Sequence, residues 1–370
     1  MRNPFSLFGL GLSLFCLAFN LYAAWWLVRR LALRSAGRFL AIEAALLLSA
    51  LYPSARVYSQ YLPGQLADAA LWLGFFVLGA SFIVFWWLAL CDLLLWAARV
   101  RARGAAGACL AAAVFLVGLA SWQGRKDPEV VRLEIPLEDL PQALDGFSIL
   151  QVSDLHLGRM NSLERLAQIA AVAEAVKPDL VAFTGDFSER RERMPEGTCE
   201  MLRSMKALRG KAAVLGNHDM FSGGGQPTAA FFESCGVKTL RNEIYEPVPG
   251  LLAAGVDDLR RGDRDAAARL APLLDRAKPL LFLSHQPEGF DGITAAGFGL
   301  VLSGHTHEGQ IFPLGLLEYR MFKYFYGLYR AGDFYIYVTS GAGTWGPPLR
   351  LFTRSELPLL TLRRSGPPGL

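Results

Sequence analysis

The chain contains 370 residues, of which 52% are hydrophobic and 19% are charged, and its formal net charge is +4. The first 123 residues hold nine of the 37 Lys and Arg residues and only three of the 33 Asp and Glu residues. The rest of the chain has 28 basic and 30 acidic residues. This distribution indicates a membrane-associated half followed by a soluble half, and it excludes the basic surface of a nucleic-acid-binding protein.

Four apolar segments in the first half are candidates for membrane-spanning helices. They are predicted at about residues 5–28, 39–55, 69–91 and 104–122. A helix rises about 1.5 Å per residue, so about 20 apolar residues cross the hydrocarbon layer. A cleaved signal peptide is the alternative for the first segment, but Arg2 stands alone before it and Arg29 and Arg30 follow it. We therefore expect a transmembrane bundle of about four retained helices.

The arginines of the connecting loops predict the orientation of these helices. The loop after the first segment contains Arg29, Arg30, Arg34 and Arg38, and the loop after the third contains Arg99, Arg101 and Arg103. Basic loops face the cytoplasm, which places everything after Trp122 outside it. Glu43 and Asp92 lie near these arginines, and both are expected to form interfacial charge pairs with them in preference to a proton or ion pathway. The segment that contains Glu43 is the weakest candidate, and without it the second half would lie on the opposite side.

The second half reads as one soluble domain. Residues 124–146 are predicted to form a linker and the entry to the domain, the domain itself is predicted at residues 147–363, and a tail follows at residues 364–370. Within the domain, short apolar strands alternate with segments of helical spacing, which is typical of an α/β fold. Cys199 and Cys235 are the cysteines of this half, and a disulfide between them stays open because two cysteines do not establish a disulfide framework.

All five histidines of the chain lie in a few short polar stretches of the second half. These stretches are Asp154-Leu155-His156, Gly185-Asp186, Gly216-Asn217-His218-Asp219, Ser284-His285 and Gly304-His305-Thr306-His307. Histidines in ordinary core or surface roles would be scattered along the chain, and some would lie in its first half. Imidazole is the commonest neutral nitrogen ligand of transition metals, so this confinement indicates a metal centre.

Each stretch follows a short apolar strand, at the position where open α/β sheets place their ligand sites. The stretches offer two carboxylates, one amide oxygen and four imidazoles as ligands, with one further histidine. Seven ligands are too many for one tetrahedral zinc ion. They fit two ions that share a bridging carboxylate, an arrangement that stabilises the attacking and leaving oxygens in phosphoryl transfer.

The order of these motifs resembles that of the calcineurin-like metallophosphoesterases. The stretches GHTHEGQ and YVTSGAGTWGPPLRL are similar to those of the bacterial membrane-associated branch that has N-terminal transmembrane helices. The resemblance covers roughly residues 147–363. It implies an α/β fold in which a β-sandwich is flanked by helices (αββα), and a metal-dependent phosphoric ester hydrolase of the phosphodiesterase or pyrophosphatase type. Glu308 is a departure, because the branch commonly has Gly after the final histidine.

The resemblance also implies a role for each site residue. Asp154, His156 and His307 would hold the first metal ion, Asn217, His285 and His305 would hold the second, and Asp186 would bridge the two. A hydroxide between the metals would attack phosphorus. His218 would assist the leaving group without binding metal, and Asp219 would orient His218. Nitrogen and oxygen ligands without thiolate favour Mn, with Fe or Zn as alternatives.

These features lead to one functional prediction and two alternatives. We expect a bacterial integral membrane protein that hydrolyses a phosphodiester or pyrophosphate bond of a lipid or cell-envelope substrate outside the cytoplasm. Residues 311–329 are rich in aromatic and basic side chains and would suit a phosphorylated amphiphile, or would pack as an insertion. The alternatives are a general or nucleotide phosphodiesterase with the helices as an anchor, and a non-catalytic metal-binding membrane scaffold.

Overall fold

The computed structural model describes residues 7–99, 103–189 and 194–365. The predicted helix start at Phe5, the flanking Arg2, the loop residue Arg101 and residues 366–370 of the predicted tail lie outside the described residues. The chain divides into two compact units. The helical unit is Met1–Arg125 together with two inserted segments, Ile311–Pro313 and Gly346–Phe352, and the sandwich unit is the remainder.

The helical unit contains four long helices in its described residues, which confirms the predicted number. They are α1 (Leu7–Arg30), α2 (Ser35–Tyr58), α3 (Gly64–Ala97) and α4 (Arg103–Arg125). All four are long and apolar enough to cross a membrane. The weakest candidate forms a helix of 24 residues in spite of Glu43, because the residues between Arg38 and Arg56 are otherwise uncharged and predominantly apolar.

Polar side chains connect the first three helices. Asn20 of α1 donates a hydrogen bond to Ser49 of α2 at 3.2 Å, and Ser81 of α3 donates to the side-chain oxygen of Asn20 at 3.1 Å. The Arg30 guanidinium contacts the Asp92 carboxylate, with Nε at 2.8 Å from Oδ1, so the expected pairing is confirmed for Asp92, whereas Glu43 has no ion pair among the described residues. These buried contacts fix α1 against α2 and α3 because unpaired polar groups are costly in an apolar surrounding.

The two inserted segments come from the stretch that we assigned to the soluble domain, and they pack among α3 and α4. Leu349 and Leu351 are buried in one cluster with Ile83 of α3 and Ala120 of α4. The backbone N–H of Arg350 donates to the carbonyl oxygen of Ala120 at 3.0 Å. The helical unit therefore contains parts of the second half of the chain that lie far from it in sequence.

The sandwich unit is built from strands with the following bounds: β1 (Glu129–Leu137), β2 (Ser148–Val152), β3 (Leu180–Thr184), β4 (Lys211–Val214), β5 (Lys238–Thr239), β6 (Glu243–Val248), β7 (Leu251–Gly255), β8 (Leu280–Leu283), β9 (Gly299–Ser303), β10 (Gly327–Ala331), β11 (Phe334–Val338) and β12 (Glu356–Arg364). They form two six-stranded sheets, with the orders β1-β12-β2-β3-β4-β5 and β10-β11-β9-β8-β7-β6. Both sheets are mixed, and β2–β4 and β7–β9 are parallel runs.

Three hydrophobic clusters make this unit an αββα sandwich, which confirms the predicted fold class. The central cluster joins the inner faces of the two sheets, as between Ile149 and Ala182 of one and Leu281 and Leu302 of the other. The outer clusters cover the opposite faces with helices. These helices are α5 (Leu163–Val176), α6 (Thr198–Ser204), α7 (Gln226–Ser234), α8 (Ala266–Leu270) and α9 (Asp291–Thr294), whereas α10 (Leu314–Glu318) has no buried residues and belongs to neither outer cluster.

Strand β1 lies within residues 124–146, the stretch predicted as a linker and domain entry, where the sequence did not indicate a strand. It pairs in parallel with β12, from Glu129 opposite Glu356 to Leu137 opposite Arg364. Ile135 and Leu137 are buried, whereas the residues between and before them are exposed or half-buried. The strand was missed because polar residues occupy its outer face, as is usual at the edge of a sheet.

Cys199 and Cys235, whose pairing the sequence left open, form a disulfide bond. Cys199 lies in α6, and Cys235 directly follows α7. Both belong to the cluster that covers the outer face of the first sheet. The bond therefore joins the two helices that pack beside β3 and β4.

We expect reduction of this disulfide to lower the free energy of unfolding by about 2–4 kcal/mol, because it frees a long loop in the unfolded chain. The measurement is the thermal midpoint of the detergent-solubilised protein with and without reductant. The Cys199→Ser/Cys235→Ser variant is the control, since its midpoint should be low and insensitive to reductant. Labelling of all five cysteines in denatured, unreduced protein would contradict the bond.

Candidate metal centre

The predicted ligands follow the carboxyl ends of parallel strands in both sheets. Asp154 follows β2, Asp186 follows β3 and Asn217 follows β4, and these three strands are neighbours. His285 follows β8 and His305 follows β9, which are neighbours in the other sheet. The sandwich thus brings together side chains that are distant in sequence, as open α/β sheets commonly do at this edge.

Five of the seven predicted ligands have left-handed backbone conformations. They are Asp154, His156, Asp186, His305 and His307, with φ between 47° and 75°. This conformation costs a residue with a side chain about 1–2 kcal/mol. Such strain persists where the surrounding structure enforces it, and it is concentrated at functional sites. The backbone therefore indicates that these side chains are held for a function.

Two glycines of the motifs are required by close approach of the ligands. A Cβ atom on Gly216 would overlap the Asp186 carboxylate, and one on Gly304 would overlap the Asp154 carboxylate. Each glycine therefore allows one strand end to pass directly over a carboxylate from a neighbouring strand end. This is why Gly precedes Asn217 and His305 in the sequence.

Asp154, His156 and His307 form the first group of potential ligands. Nε2 of His156 lies 3.2 Å from Nε2 of His307, and Nε2 of His307 lies 3.5 Å from Oδ1 of Asp154. All three side chains are buried. One atom from each residue could coordinate the same ion, because these ligand atoms all lie within 4.8 Å of one another.

Asp186, His285 and His305 form the second group. Nε2 of His285 lies 3.3 Å from Oδ2 of Asp186 and 3.2 Å from Nδ1 of His305. Oδ2 of Asp186 also lies 3.7 Å from Nε2 of His156, which belongs to the first group. Asp186 therefore lies between the two groups, as a bridging carboxylate must.

Asn217 contributes a buried oxygen beside these groups. Its Oδ1 has no hydrogen-bond partner among the described residues, although the atom is buried. Buried polar oxygens are nearly always paired, so an unpaired one indicates an unseen partner such as an ion. Ligands about 2.1 Å from a tetrahedral ion are about 3.4 Å apart, which is close to the separations found here. The residues present thus fit divalent metal ions.

Charges of opposite sign are packed together in the second group. Burial acts to raise the pKa of Asp186, but His285 and His218 outweigh it and hold this pKa well below its ordinary value. Burial acts to lower the pKa of His285, but Asp186 and Asp154 outweigh it and raise this pKa to about 10. Burial and the neighbouring His285 lower the pKa of His305 to about 3. A cation must displace the His285 proton, so its affinity should fall as pH falls.

Glu189 is a site residue that the sequence analysis missed. Its Oε1 lies 3.0 Å from Nδ1 of His218, and its Oε2 lies 3.1 Å from Nδ1 of His156. Burial acts to raise the pKa of Glu189, but His156 and His218 outweigh it and lower this pKa to about 2. Its position three residues after Asp186, in the loop that follows β3, was the available signal.

Asp219 has a different role from the predicted one. Its carboxylate accepts hydrogen bonds from the backbone N–H groups of Phe187, Ser188 and Gly216 and from the Ser188 hydroxyl, at 2.8–3.2 Å. In the described part of the chain, Glu189 and not Asp219 bonds to Nδ1 of His218. Asp219 instead joins the loop after β3 to the loop after β4, because its oxygens point at backbone donors of both.

Glu308 has φ of 56°, a conformation that glycine adopts freely. This explains why glycine is suited to the position after the final histidine. The backbone N–H of Glu308 donates a hydrogen bond to the Thr306 hydroxyl at 3.3 Å, and the Glu308 side chain is half-buried. The glutamate therefore adds a charge and backbone strain beside His307 without changing the ligands themselves.

Comparisons with known proteins agree with the site. The family profile "Calcineurin-like phosphoesterase" matches residues 147–309. The chain is 34% identical over 244 residues to an uncharacterized metallophosphoesterase of Aquifex aeolicus, covering 64% of this chain and 92% of the relative. It is 32% identical over 253 residues to the "Transmembrane protein with metallophosphoesterase domain" of Danio rerio, covering 64% of this chain and 58% of the relative.

The chain therefore belongs to the calcineurin-like metallophosphoesterases. Membership supports a metal-dependent phosphoester hydrolase, and the Asp and His groups described above could bind its divalent metals. The chain spans somewhat more than half the length of the Danio rerio relative, so that protein's activity as a whole does not transfer to this one.

We expect purified protein to hold two divalent ions per chain. The Asp186→Asn variant should lose at least one of these ions, and its activity should fall by about 100-fold or more, because a neutral amide is a poor bridge between cations. Elemental analysis after desalting measures the ions. Asp275→Asn, which removes a carboxylate from another part of the sandwich unit, is the control. One ion per wild-type chain together with unchanged activity of Asp186→Asn would contradict the bridge.

Proposed function

We propose that this chain is a membrane-anchored phosphoesterase with two divalent metal ions, which hydrolyses a phosphodiester or pyrophosphate bond of a lipid or cell-envelope substrate. The observation that carries the proposal is the pair of adjacent ligand groups, with Asp186 of the second group 3.7 Å from His156 of the first. Two adjacent cations hold a phosphoryl group from both sides, which suits in-line displacement at phosphorus.

Seven residues would hold the ions. Asp154, His156 and His307 form one side of the site, Asn217, His285 and His305 form the other, and Asp186 lies between them. When bound, divalent cations lower the pKa of water and neutralise charge on the phosphoryl oxygens. The nitrogen and oxygen donors favour Mn over softer metals, with Fe or Zn also compatible.

His218 would assist departure of the leaving group. The Glu189 carboxylate accepts a hydrogen bond from Nδ1 of His218, which leaves the other ring nitrogen to exchange a proton with the substrate. The backbone N–H of His218 donates to Oδ1 of Asp186 at 2.8 Å. The histidine is therefore positioned by the bridging carboxylate at its backbone and by Glu189 at its ring.

A lipid substrate is supported by the chain that surrounds the site. Leu316, Leu317, Tyr319 and Met321 are each more than half exposed, and Arg320 and Lys323 lie among them. Exposed apolar side chains interspersed with cations are typical of a surface that meets phospholipids.

Chain connectivity supports the same substrate class. Gln310 and Trp345 exchange two hydrogen bonds, of 3.0 and 2.8 Å, and each continues directly into an inserted segment of the helical unit. The Trp345 ring lies 6.1 Å from the ring of His218. The loops at Gln310 and Trp345 are thus continuous in sequence with segments of the helical unit, which fits a substrate that is itself held in a membrane.

We also propose that the sandwich unit lies outside the cytoplasm. Seven arginines lie in the two loops assigned to the cytoplasmic side, whereas the flanks on the other side hold four basic residues, Arg2, Arg56, Arg125 and Lys126. The Cys199–Cys235 disulfide supports this orientation, because such bonds persist in oxidising compartments and are rare in the cytosol. In a bacterium the protein would then reside in the cell membrane and act at its outer face.

We expect His218→Ala to retain both metal ions and lose turnover by about 10²–10⁴-fold, because its role is proton transfer and not metal binding. Glu189→Gln should lose less, about 10–100-fold, because it acts by orienting the histidine. Activity is measured with a pyrophosphate-linked lipid in mixed micelles and a water-soluble diester side by side.

The control for this experiment is metal content, measured in the same samples. Preference for the lipid, with both variants impaired, supports the proposal, whereas preference for the soluble diester favours a general phosphodiesterase. Wild-type protein that holds metal but hydrolyses neither substrate contradicts the enzymatic proposal and favours a scaffold.

The orientation can be tested with reporters fused after Ser365. We expect a phosphatase reporter to be active there, and a fluorescent reporter that matures only in the cytoplasm to be dark, because the basic loops remain on the cytoplasmic side. Fusion of the same reporters after Arg99, in a basic loop, should give the opposite pattern. A bright fluorescent fusion after Ser365 would place the site in the cytoplasm.

A further inference from the structure

A turn with two adjacent arginines follows β7, the neighbour of the strand that leads to His285. We call this turn, Asp258–Gly262, the basic turn; it contains Arg260 and Arg261. Both arginine residues are exposed, so their side chains are accessible to a solute.

Asp258 holds the basic turn in a fixed conformation. Its Oδ1 accepts hydrogen bonds from the backbone N–H groups of Arg260 and Arg261 at 3.1 and 3.0 Å, and its carbonyl oxygen accepts from Gly262 at 2.7 Å. Its Oδ2 accepts from Nε2 of Gln286, which directly follows the potential ligand His285. Asp258 and Gln286 are fully buried, so the turn is fastened to the strand end that carries His285.

The positive charge of Arg261 is not compensated by the carboxylates described near it. The Asp257 carboxylate binds the guanidinium of Arg241 at 2.7 and 3.0 Å, so its charge is already compensated. Glu288 lies 3.5 Å from the guanidinium of Arg260. Arg261 has no carboxylate partner within the described ranges of the chain, and its positive charge is therefore available to an anion.

Phe221 places the Arg261 guanidinium beside the catalytic histidine. The guanidinium carbon lies 3.7 Å from the centre of the Phe221 ring, and that ring lies 6.2 Å from the ring of His218. The guanidinium is therefore within about 10 Å of the His218 ring. Stacking on an aromatic face leaves the N–H edges of arginine free to bind two oxygens of one oxyanion.

We propose that Arg261, assisted by Arg260, binds a second phosphate group of the substrate, on the side of the leaving group. This inference rests on the proposed function, in which the metal ions hold the scissile phosphoryl group and His218 faces the leaving group. A guanidinium within about 10 Å of the His218 ring is then available to a second phosphate that the leaving group carries. The substrate class is thereby narrowed to esters with two or more phosphates, such as pyrophosphate diesters, and simple diesters with one phosphate are disfavoured.

The test uses full-length, metal-loaded protein with the variants Arg261→Gln and Arg261→Lys. Arg264→Gln is the matched control, because Arg264 is an exposed arginine of the same loop outside the basic turn. The substrates are a nucleoside-diphosphate sugar, which has two phosphates, and bis(p-nitrophenyl) phosphate, which has one. Metal content is measured for every variant.

Arg261→Gln should lower kcat/KM for the diphosphate substrate by about 10–100-fold, mainly through KM, because charged hydrogen bonds to one phosphate are lost. The loss on the single-phosphate diester should be at least about tenfold smaller. The loss of kcat/KM for Arg261→Lys should be intermediate, since lysine keeps the positive charge but lacks the planar guanidinium that binds two oxygens at once. Arg264→Gln should stay within about twofold of wild type on both substrates. Equal losses on both substrates, or no loss, would overturn the proposal.

A binding measurement separates failure of this inference from failure of the proposed function. If wild-type protein hydrolyses neither substrate, the hydrolytic function fails, and calorimetric binding of inorganic pyrophosphate to the metal-loaded protein decides the inference. Wild type should then bind pyrophosphate about tenfold or more tightly than Arg261→Gln, with a smaller difference for inorganic phosphate. Equal affinities for pyrophosphate would overturn the second phosphate site.

Discussion

The carboxylate of Asp186 lies close to histidines of both ligand groups and is bonded to the loop that carries His218. One of its oxygens lies 3.3 Å from Nε2 of His285 and 3.7 Å from Nε2 of His156, and the other accepts the backbone N–H of His218. A single buried anion thus lies between the two ligand groups and fixes the start of the loop that carries His218. Burying such a charge is costly unless cations or hydrogen bonds compensate it, and this site is organised to supply both.

The sandwich makes this arrangement possible because it collects strand ends from two sheets. Each ligand lies two to four residues past the end of a strand, so the sheet fixes the backbone a short distance before it. The left-handed conformations of Asp154, His156, Asp186, His305 and His307 then turn the side chains inward. Gly216 and Gly304 allow the close approach of neighbouring loops to the carboxylates. Rigid strands followed by strained turns give a precise site at a cost in backbone energy.

The sequence was sufficient where the signal was local. Polar residues at the ends of apolar strands identified the two groups that the structure assembles, and long apolar runs identified the four helices. It failed where a role depends on contacts between distant segments. Glu189 was missed because its importance comes from facing both His156 and His218, and Asp219 was misassigned because the residue next to a histidine need not be the one that its ring nitrogen meets. The inserted segment at Leu349 looked like part of the soluble domain because its few apolar residues give no sign of the helices that bury them.

The central claim is that Asp186 joins two metal ions into one reactive site. Electron paramagnetic resonance of metal-free protein titrated with Mn(II) tests it most directly, because two ions that share a carboxylate are magnetically coupled. We predict that the coupled spectrum develops as the second equivalent of metal binds, and that phosphoesterase activity rises with it. Full activity with the uncoupled spectrum of one isolated ion per chain would contradict the account.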